Sequence, residues 1–501
     1  MNRLIFSLVV GILFGAHLKA STYYVSTTGN DTTNPGTIDL PFKTIPKAIS
    51  ASTIGDTIYV RGGTHLYSTT ITISRQGTSS SRCYLLAFPG ERPLIDFSAM
   101  PIGSSNRGIS LTGSYWYIKG FDVGKATDNG MHIRGSNNVV EFCSFFENGD
   151  TGLQLDNGAS YNQIINCDSY FNVDPSQGNA DGFAPKLGVG TGNYFYGCRA
   201  WQNSDDGWDG YLRGANNMTT TIENCWCFMN GYLKSGAPST GNGNGYKMGG
   251  SDDRTLQHDM ILKNCLAFDN RVKGFDQNNN KGSMTLYNCT AYRNGANYSV
   301  SQALAAGETL RVANSVALGA YGSIGSFAIQ QTNGWMPPFV VTIDDFLSTD
   351  TTGVRGPRNP DGSLPTLAFM HLATGSDLID AGTDVGIPYN GSAPDLGCFE
   401  TDAIPGVEGN SSKPNTYVLE QNYPNPFNPT TIIEFSIKSR EFVSLRVFDV
   451  LGREVVALVN EVLLPGSHRA TFDGTGLPTG AYFYRLRSGS VVETKQLLLL
   501  K

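Results

Sequence analysis

The sequence predicts an all-β protein, a right-handed parallel β-helix followed by a small C-terminal β-sandwich. Three observations carry this: a glycine- and aromatic-rich composition, a cysteine-asparagine phrase that recurs through the middle of the chain, and a terminal stretch of short alternating strands. With 59 Gly, 23 Tyr and 26 Phe but only 16% charged residues, the 501-residue chain is turn-rich rather than helical and too long for one ordinary compact core. A net charge of -7 supplies no basic surface, so nucleic acid is excluded as an expected partner.

The chain opens with Arg3, an apolar run from Leu4 to Gly15, and the small residue Ala20. That is the layout of a secretory signal peptide over residues 1–20. The apolar run is short for a bilayer span, so a membrane anchor is the weaker reading. No later segment is apolar for long enough to cross a bilayer, and a mature protein outside the cytoplasm, without a transmembrane segment, is expected.

Six of the nine cysteines begin one phrase, Cys-x-x-bulky-x-Asn, at Cys143, Cys167, Cys198, Cys225, Cys265 and Cys289, with intervals of 24, 31, 27, 40 and 24 residues. Periods of this size signal a solenoid, and the alternation within each phrase suits strands. Equivalent positions then stack about 4.8 Å apart. The cysteines are expected as an interior ladder, and Asn148, Asn172, Asn203, Asn230, Asn270 and Asn294 as a ladder at a bend, where Asn tolerates left-handed conformations. No C-x-x-C zinc pattern occurs, and disulfides are conceivable in an oxidising compartment without being assignable from sequence.

A glycine followed by a bulky residue comes four positions after Asn148, Asn203 and Asn270, at Gly152, Gly207 and Gly274. From Asn172 to Gly182 and from Asn230 to Gly245 the gap widens, which places insertions of six and eleven residues at one corner. Loops stacked there make the walls of a cleft. Alignment on the glycine stacks Asp181 on Asp206, with Asp205 beside them and Asp209 on the same strand. Asp-Gly is also ordinary turn chemistry, so solvated turn residues are the competing reading. Carboxylates at that spacing repel unless a cation sits among them, and all-oxygen anionic ligation favours Ca²⁺. Lys247 follows Gly245 in the register that Asp209 occupies one turn earlier. It is either a salt-bridge partner or a general base whose pKa a nearby cation and desolvation lower.

With these residues placed, the chain resembles polysaccharide lyase family 9 over about Tyr23 to Glu400. The phrases that carry the resemblance are YYVSTTGNDTTNPGT, PFKTIPKAI, GDTIYVRGGTH, NADGFAPK, SDDGWDGY, GNGYKMGG and CLAFDNRVKGFDQNNNKG, in that order. The resemblance implies a calcium site of Asp181, Asp205, Asp206 and Asp209, and Lys247 as base. It also implies β-elimination of polygalacturonate, the base removing the C5 hydrogen of a uronate unit before the C4 glycosidic bond leaves. Lys186, Arg213, Lys273, Asp276, Gln277 and Asn279 are further candidates for contacts to substrate, each also readable as a solvated corner residue, and His258 reads as structural. The family also includes enzymes acting on rhamnogalacturonan. A polygalacturonase-like hydrolase lacks its expected Gly-His-Gly and Arg-x-Lys phrases, and a non-catalytic carbohydrate-binding β-helix is the reading from a different class.

Residues 401–416 read as a polar Pro/Gly/Ser linker between the lyase unit, 21–400, and a terminal unit, 417–501. NPFNPTT, DVLGREV and LPTGAY make that unit resemble the type A sorting domain of the type IX secretion system, with an accessory carbohydrate-binding module as the alternative. The resemblance implies export machinery as a partner and an extracellular or cell-surface location. A monomer is expected.

Overall fold

A computed structural model describes residues 20–401, 417–438, 441–463, 466–489 and 491–500. Apart from Ala20 and Thr401, the expected signal peptide and linker lie outside the described residues. Among the described residues no helix is long and apolar enough to cross a membrane.

Residues 22–331 wind into a right-handed β-helix of three parallel sheets with twelve, ten and ten strands; Thr22–Val25 pairs with the next strand, Thr57–Val60, and from there on strands pair with those three places later in the chain. One turn is Val139–Glu141, Ser144–Phe146 and Leu153–Leu155, and the next, Gln163–Ile165, Asp168–Tyr170 and Phe183–Pro185, pairs with it strand for strand. The sheet containing Leu153–Leu155 carries the cleft and is here the cleft sheet. Beneath it an aromatic column fills the interior, with ring centroids 4.9 Å apart from Phe183 to Trp208 and 5.0 Å from Trp208 to Tyr246. These are the bulky residues of the Gly-bulky pairs. The glycines themselves are forced by close approach, since a Cβ on Gly207 would lie 1.9 Å from Cys227 Sγ.

The asparagine ladder forms, by a different physical route from the one expected. The left-handed residues are those immediately before each Asn, including Glu147 (φ 54°), Phe171 (φ 58°) and Met229 (φ 54°). The asparagines instead pass amide hydrogen bonds along the solenoid, Asn148 Nδ2 to Asn172 Oδ1 at 2.9 Å and Asn172 Nδ2 to Asn203 Oδ1 at 2.8 Å. The next steps, Asn203 to Asn230 and Asn230 to Asn270, are 3.0 Å each. Each Oδ1 also accepts the backbone N–H of the preceding turn, as Asn172 does from Asn148 at 3.1 Å. The buried polar column is thus satisfied by its own repetition. A second such ladder, Asn138 to Asn162 to Asn193, runs at another corner. All nine cysteines are free and buried, and burial drives the thiols of Cys143, Cys167 and Cys198 well above the usual range.

The helix Ile45–Ala51, capped by the Thr44 side chain, buries Ile45, Ala48 and Ile49 over the N-terminal end of the coil. After the last turn, residues 345–400 lie as a strap across a second sheet, packing Phe346, Leu364, Phe369, Leu378 and Leu396 onto Trp201, Trp226, Phe228 and Phe268. Arg358 of the strap and Arg199 of the sheet close on Asp168, with nitrogen-oxygen distances of 2.7 and 2.8 Å. Residues 418–499 form the expected sandwich, a three-stranded and a four-stranded antiparallel sheet around Leu419, Phe435, Leu445, Tyr484 and Leu497.

Burial alone would raise the Asp168 carboxyl, but Arg358 and Arg199 outweigh it and hold the group down at about 2, below its ordinary 3.8. Its contribution to stability is therefore complete above the ordinary value and lost as pH falls toward 2. Asp168→Asn leaves two buried guanidinium groups without a counter-charge and is expected to cost about 3–5 kcal/mol. Denaturant titration across the acid range checks this, with a flatter acid limb in the variant.

Candidate active site

The turn register brings the acidic residues together. Phe183 pairs with Trp208 and Trp208 with Tyr246, so Gly182, Gly207 and Gly245, which precede them, stack at one corner. Asp181 and Asp206 sit just before two of those glycines. On the strands that follow, Asp209 pairs with Lys247 and Lys247 with Asp276. Side chains alternate along a strand, so the aromatic residues point inward while Asp209 and Lys247 face out over the same patch.

Asp181, Asp206 and Asp209 are all buried, and each offers a carboxylate oxygen within 4.8 Å of the others. Lys247 Nζ lies 3.1 Å from Asp206 Oδ2 and 3.2 Å from Asp209 Oδ1. Lys186 Nζ lies 2.7 Å from Asp181 Oδ2 and 3.6 Å from Asp209 Oδ2. Backbone amides fix the carboxylates: Asp206 N donates to Asp181 Oδ1 at 3.2 Å, Asn244 N to Asp206 Oδ1 at 2.8 Å, and Tyr211 N to Asp209 Oδ1 at 3.0 Å. Asp205 stands at the edge, its Oδ1 accepting from Asn242 N in the longer inserted loop. The two inserted loops also hold one another, Thr240 Oγ1 donating to the Ser176 carbonyl at 2.9 Å.

These charges set one another's titration. Burial, opposed by Lys247 and reinforced by Asp205, Asp181 and Asp209, drives the Asp206 carboxyl well above its ordinary value, and burial with the charges of Asp209 and Asp205, against Lys186, pushes Asp181 up to about 8. The ammonium of Lys247 resists burial because Asp209, Asp206, Asp181 and Asp205 all face it, so its pKa is raised. The sequence expectation of a lowered value presumes a cation already drawing charge from those carboxylates; against the carboxylates alone the ammonium is favoured.

The donor set fits a hard divalent cation. It is all oxygen and anionic, and Asp206 Oδ2 is buried without a hydrogen bond of good geometry. Once all four carboxylates, Asp205 included, are ionised, the ammonium groups of Lys186 and Lys247 leave an excess of two negative charges. One divalent ion balances that excess.

The remaining candidates divide. Arg213 lines the cleft rim, paired with Asp252 at 2.7 Å. Lys273 pairs with Asp276 at 2.8 Å, and Asp276 is the nearly buried neighbour of Lys247 in register. Lys186 is buried against the aspartates rather than presented as a solvated corner residue. Gln277 is fully buried and donates to the carbonyls of Asn280 and Gln302, so it does not reach the cleft. Asn279 is left-handed (φ 57°) and its side chain accepts from Ser251 N at 3.1 Å, tying its coil to the preceding one. His258 is buried between Thr220 Oγ1 and the Gly210 carbonyl, 2.8 Å from each; burial lowers its pKa to about 4, and it braces the residue after Asp209.

The cleft holds about 420 Å³ and runs further than the sequence reading reached, through Asp156, Gln154, Asp150 and Asp128 to Arg107. Arg107, Asp128, Asp150 and Gln154 keep the same offsets from Gly108, Gly130 and Gly152 that the aspartates keep from theirs, and Asp156 keeps the offset of Lys186 from Gly182. The signal was present, but in the turn of Gly130 the phrase is disguised, with Phe121 in the cysteine place and Ala126 in the asparagine place, where its N–H donates to Asn148 Oδ1.

Comparison with known proteins agrees with this architecture. Residues 23–314 match the family described as Pel9A-like, right-handed β-helix region, and residues 421–500 match the secretion system C-terminal sorting domain. The chain is similar to pectate lyase L of Dickeya chrysanthemi, 39% identical over 75% of this chain and 90% of that protein. It is similar to pectate lyase L of Paenibacillus polymyxa (strain SC2), 40% identical over 74% of this chain and 85% of that protein. Among solved structures, pectate lyase Pel9A superposes with a TM-score of 0.71 at 37% identity, covering 77% of this chain and 98% of that one. A rhamnogalacturonan lyase gives 0.62 at 29% identity, covering 71% and 97%. The chain belongs to the Pel9A-like family of right-handed β-helix polysaccharide lyases and ends in a secretion-system sorting domain.

Proposed function

We propose that the chain is a calcium-dependent pectate lyase, exported by the type IX system, that cleaves α-1,4-linked polygalacturonate by β-elimination. The observation that carries the reading is the convergence of Asp181, Asp206 and Asp209 on one point with Lys247 Nζ within 3.2 Å of two of them. Asp181, Asp206 and Asp209, with Asp205 at the rim, would hold Ca²⁺. When bound, the ion supplies charge neutralisation for a uronate carboxylate and makes the adjacent C5–H more acidic.

Lys247 stands on the strand beside the cluster and is the group that takes the C5 proton. The C5–H electron pair becomes the C4=C5 double bond, the C4–O bond breaks, and the departing oxygen takes a proton from solvent. Only the neutral amine can do this, so the carboxylates that hold the ammonium must be engaged elsewhere at that moment. Lys186, on the far side of Asp181 and Asp209, keeps the cluster from carrying its full negative charge. A rhamnogalacturonan backbone is the second reading, favoured by the likeness to the rhamnogalacturonan lyase structure.

Ca²⁺ at a hundredfold excess over its Kd is expected to stabilise the chelator-treated protein by about 2.7 kcal/mol, read as a rise in melting temperature, and Asp206→Asn to abolish that rise. Lys247→Ala is expected to keep the calcium-induced rise and lose about 10²–10⁴ in kcat on polygalacturonate; a near wild-type rate removes Lys247 as the base. Deleting residues 417–501 is expected to leave kcat/KM of the purified enzyme within about twofold while stopping export, since both units have their own cores. Cell fractionation beside an assay of the purified truncation checks it.

A further inference from the structure

The end of the cleft far from Lys247 carries polar groups that the proposed chemistry does not use. The residue before each corner glycine forms a column, Arg107, Asn129, Thr151, Asp181, Asp206 and Asn244, because the residues after those glycines pair in register from Ile109 through Met131, Leu153, Phe183 and Trp208 to Tyr246. Arg107 therefore shares a column with two of the aspartates. It lies five turns from the turn of Lys247, about 24 Å at the spacing of paired strands. One continuous cleft joins them.

Around Arg107 the hydrogen bonding is incomplete. Its side chain is 29% exposed, donates from Nε to Asn129 Oδ1 at 3.3 Å, and approaches Asp128 Oδ2 at only 3.6 Å. Asp128 is 5% exposed and lines the cleft beside Asp150; burial and that neighbouring carboxyl raise its pKa to about 6, and its Oδ2 makes no hydrogen bond of good geometry. His132, 2% exposed, has no hydrogen-bond partner at either ring nitrogen, and its Nε2 stands 3.9 Å from Asp156 Oδ2. Buried polar atoms left unpaired by the chain can take water or the polar groups of a ligand as partners. The set contains a forked cation suited to a carboxylate and an acceptor suited to a hydroxyl. A hexuronate ring presents both.

We propose that this end of the cleft is a remote sugar-binding subsite, in which Arg107 takes the carboxylate of a uronate unit several residues from the bond that breaks and Asp128 Oδ2 accepts a hydroxyl of the same ring. The subsite rests on the pectate reading above and deepens it: the enzyme grips a long stretch of polymer on one side of the scissile bond. Long chains gain affinity from it, whereas short oligomers that cannot span the cleft do not.

The test is calorimetric binding of saturated trigalacturonate and octagalacturonate to the Lys247→Ala protein in Ca²⁺, with and without Arg107→Gln. The parent is expected to bind the octamer more tightly than the trimer, and Arg107→Gln to remove about tenfold or more of the octamer affinity while leaving the trimer unchanged. Arg107→Lys, which keeps the charge, retains part of the gain. With Lys247 intact, Arg107→Gln raises KM on polygalacturonate at unchanged kcat. Equal octamer affinity with and without Arg107→Gln, in a protein whose wild type forms unsaturated product, overturns the subsite alone. A wild type that forms no product from polygalacturonate overturns the pectate reading and the subsite with it.

Discussion

Everything in the molecule depends on turn-to-turn register. In a parallel coil an error of one residue in a single turn moves a side chain from the interior to the cleft, so the stacking must be pinned more firmly than short three-residue strands can manage. The pins are the buried amide ladder from Asn148 to Asn294, whose links are mostly 2.8–3.0 Å, and the corner glycines that admit no Cβ. Between them the aromatic column from Phe183 to Tyr298 sets the spacing of the cleft sheet. The two inserted loops begin and end at pinned positions, so their length does not disturb the register of the later turns.

That rigidity holds like charges together. Three carboxylates within 4.8 Å of one another, nearly out of reach of water, would push apart in a softer frame. Here the backbone amides of Asp206, Tyr211 and Asn244 point at them, and Lys186 and Lys247 approach from opposite sides. With every carboxylate ionised, Asp205 included, the cluster is short of neutrality by two charges, the charge of one divalent cation.

Much of this was legible in the chain because a solenoid writes its geometry in its spacing. The cysteine phrase fixed the interior, and the glycine offsets were enough to stack Asp181 on Asp206 and set Lys247 beside Asp209. What escaped had local causes. The turn of Gly130 hides its phrase behind Phe121 and Ala126, so neither Asp128 nor Arg107, one turn earlier, is marked by it. The run Asp276-Gln277-Asn278-Asn279 is polar throughout, and sequence does not say that Gln277 turns inward where the strand meets its corner. At the ladder bend the left-handed place falls on Glu147, Phe171 and Met229, one residue before each asparagine, whereas at the bend before the cysteines asparagine itself takes it, at Asn166, Asn224, Asn264 and Asn288.

The account stands or falls on elimination at a cation-loaded cleft. The most direct measurement records, in parallel, the ultraviolet absorbance of conjugated unsaturated uronate and the appearance of reducing ends on polygalacturonate, after chelation and again after Ca²⁺ is restored. The account predicts that both signals rise together with Ca²⁺ and vanish together without it. Reducing ends that rise with no ultraviolet signal, or a rate indifferent to chelation, would contradict it.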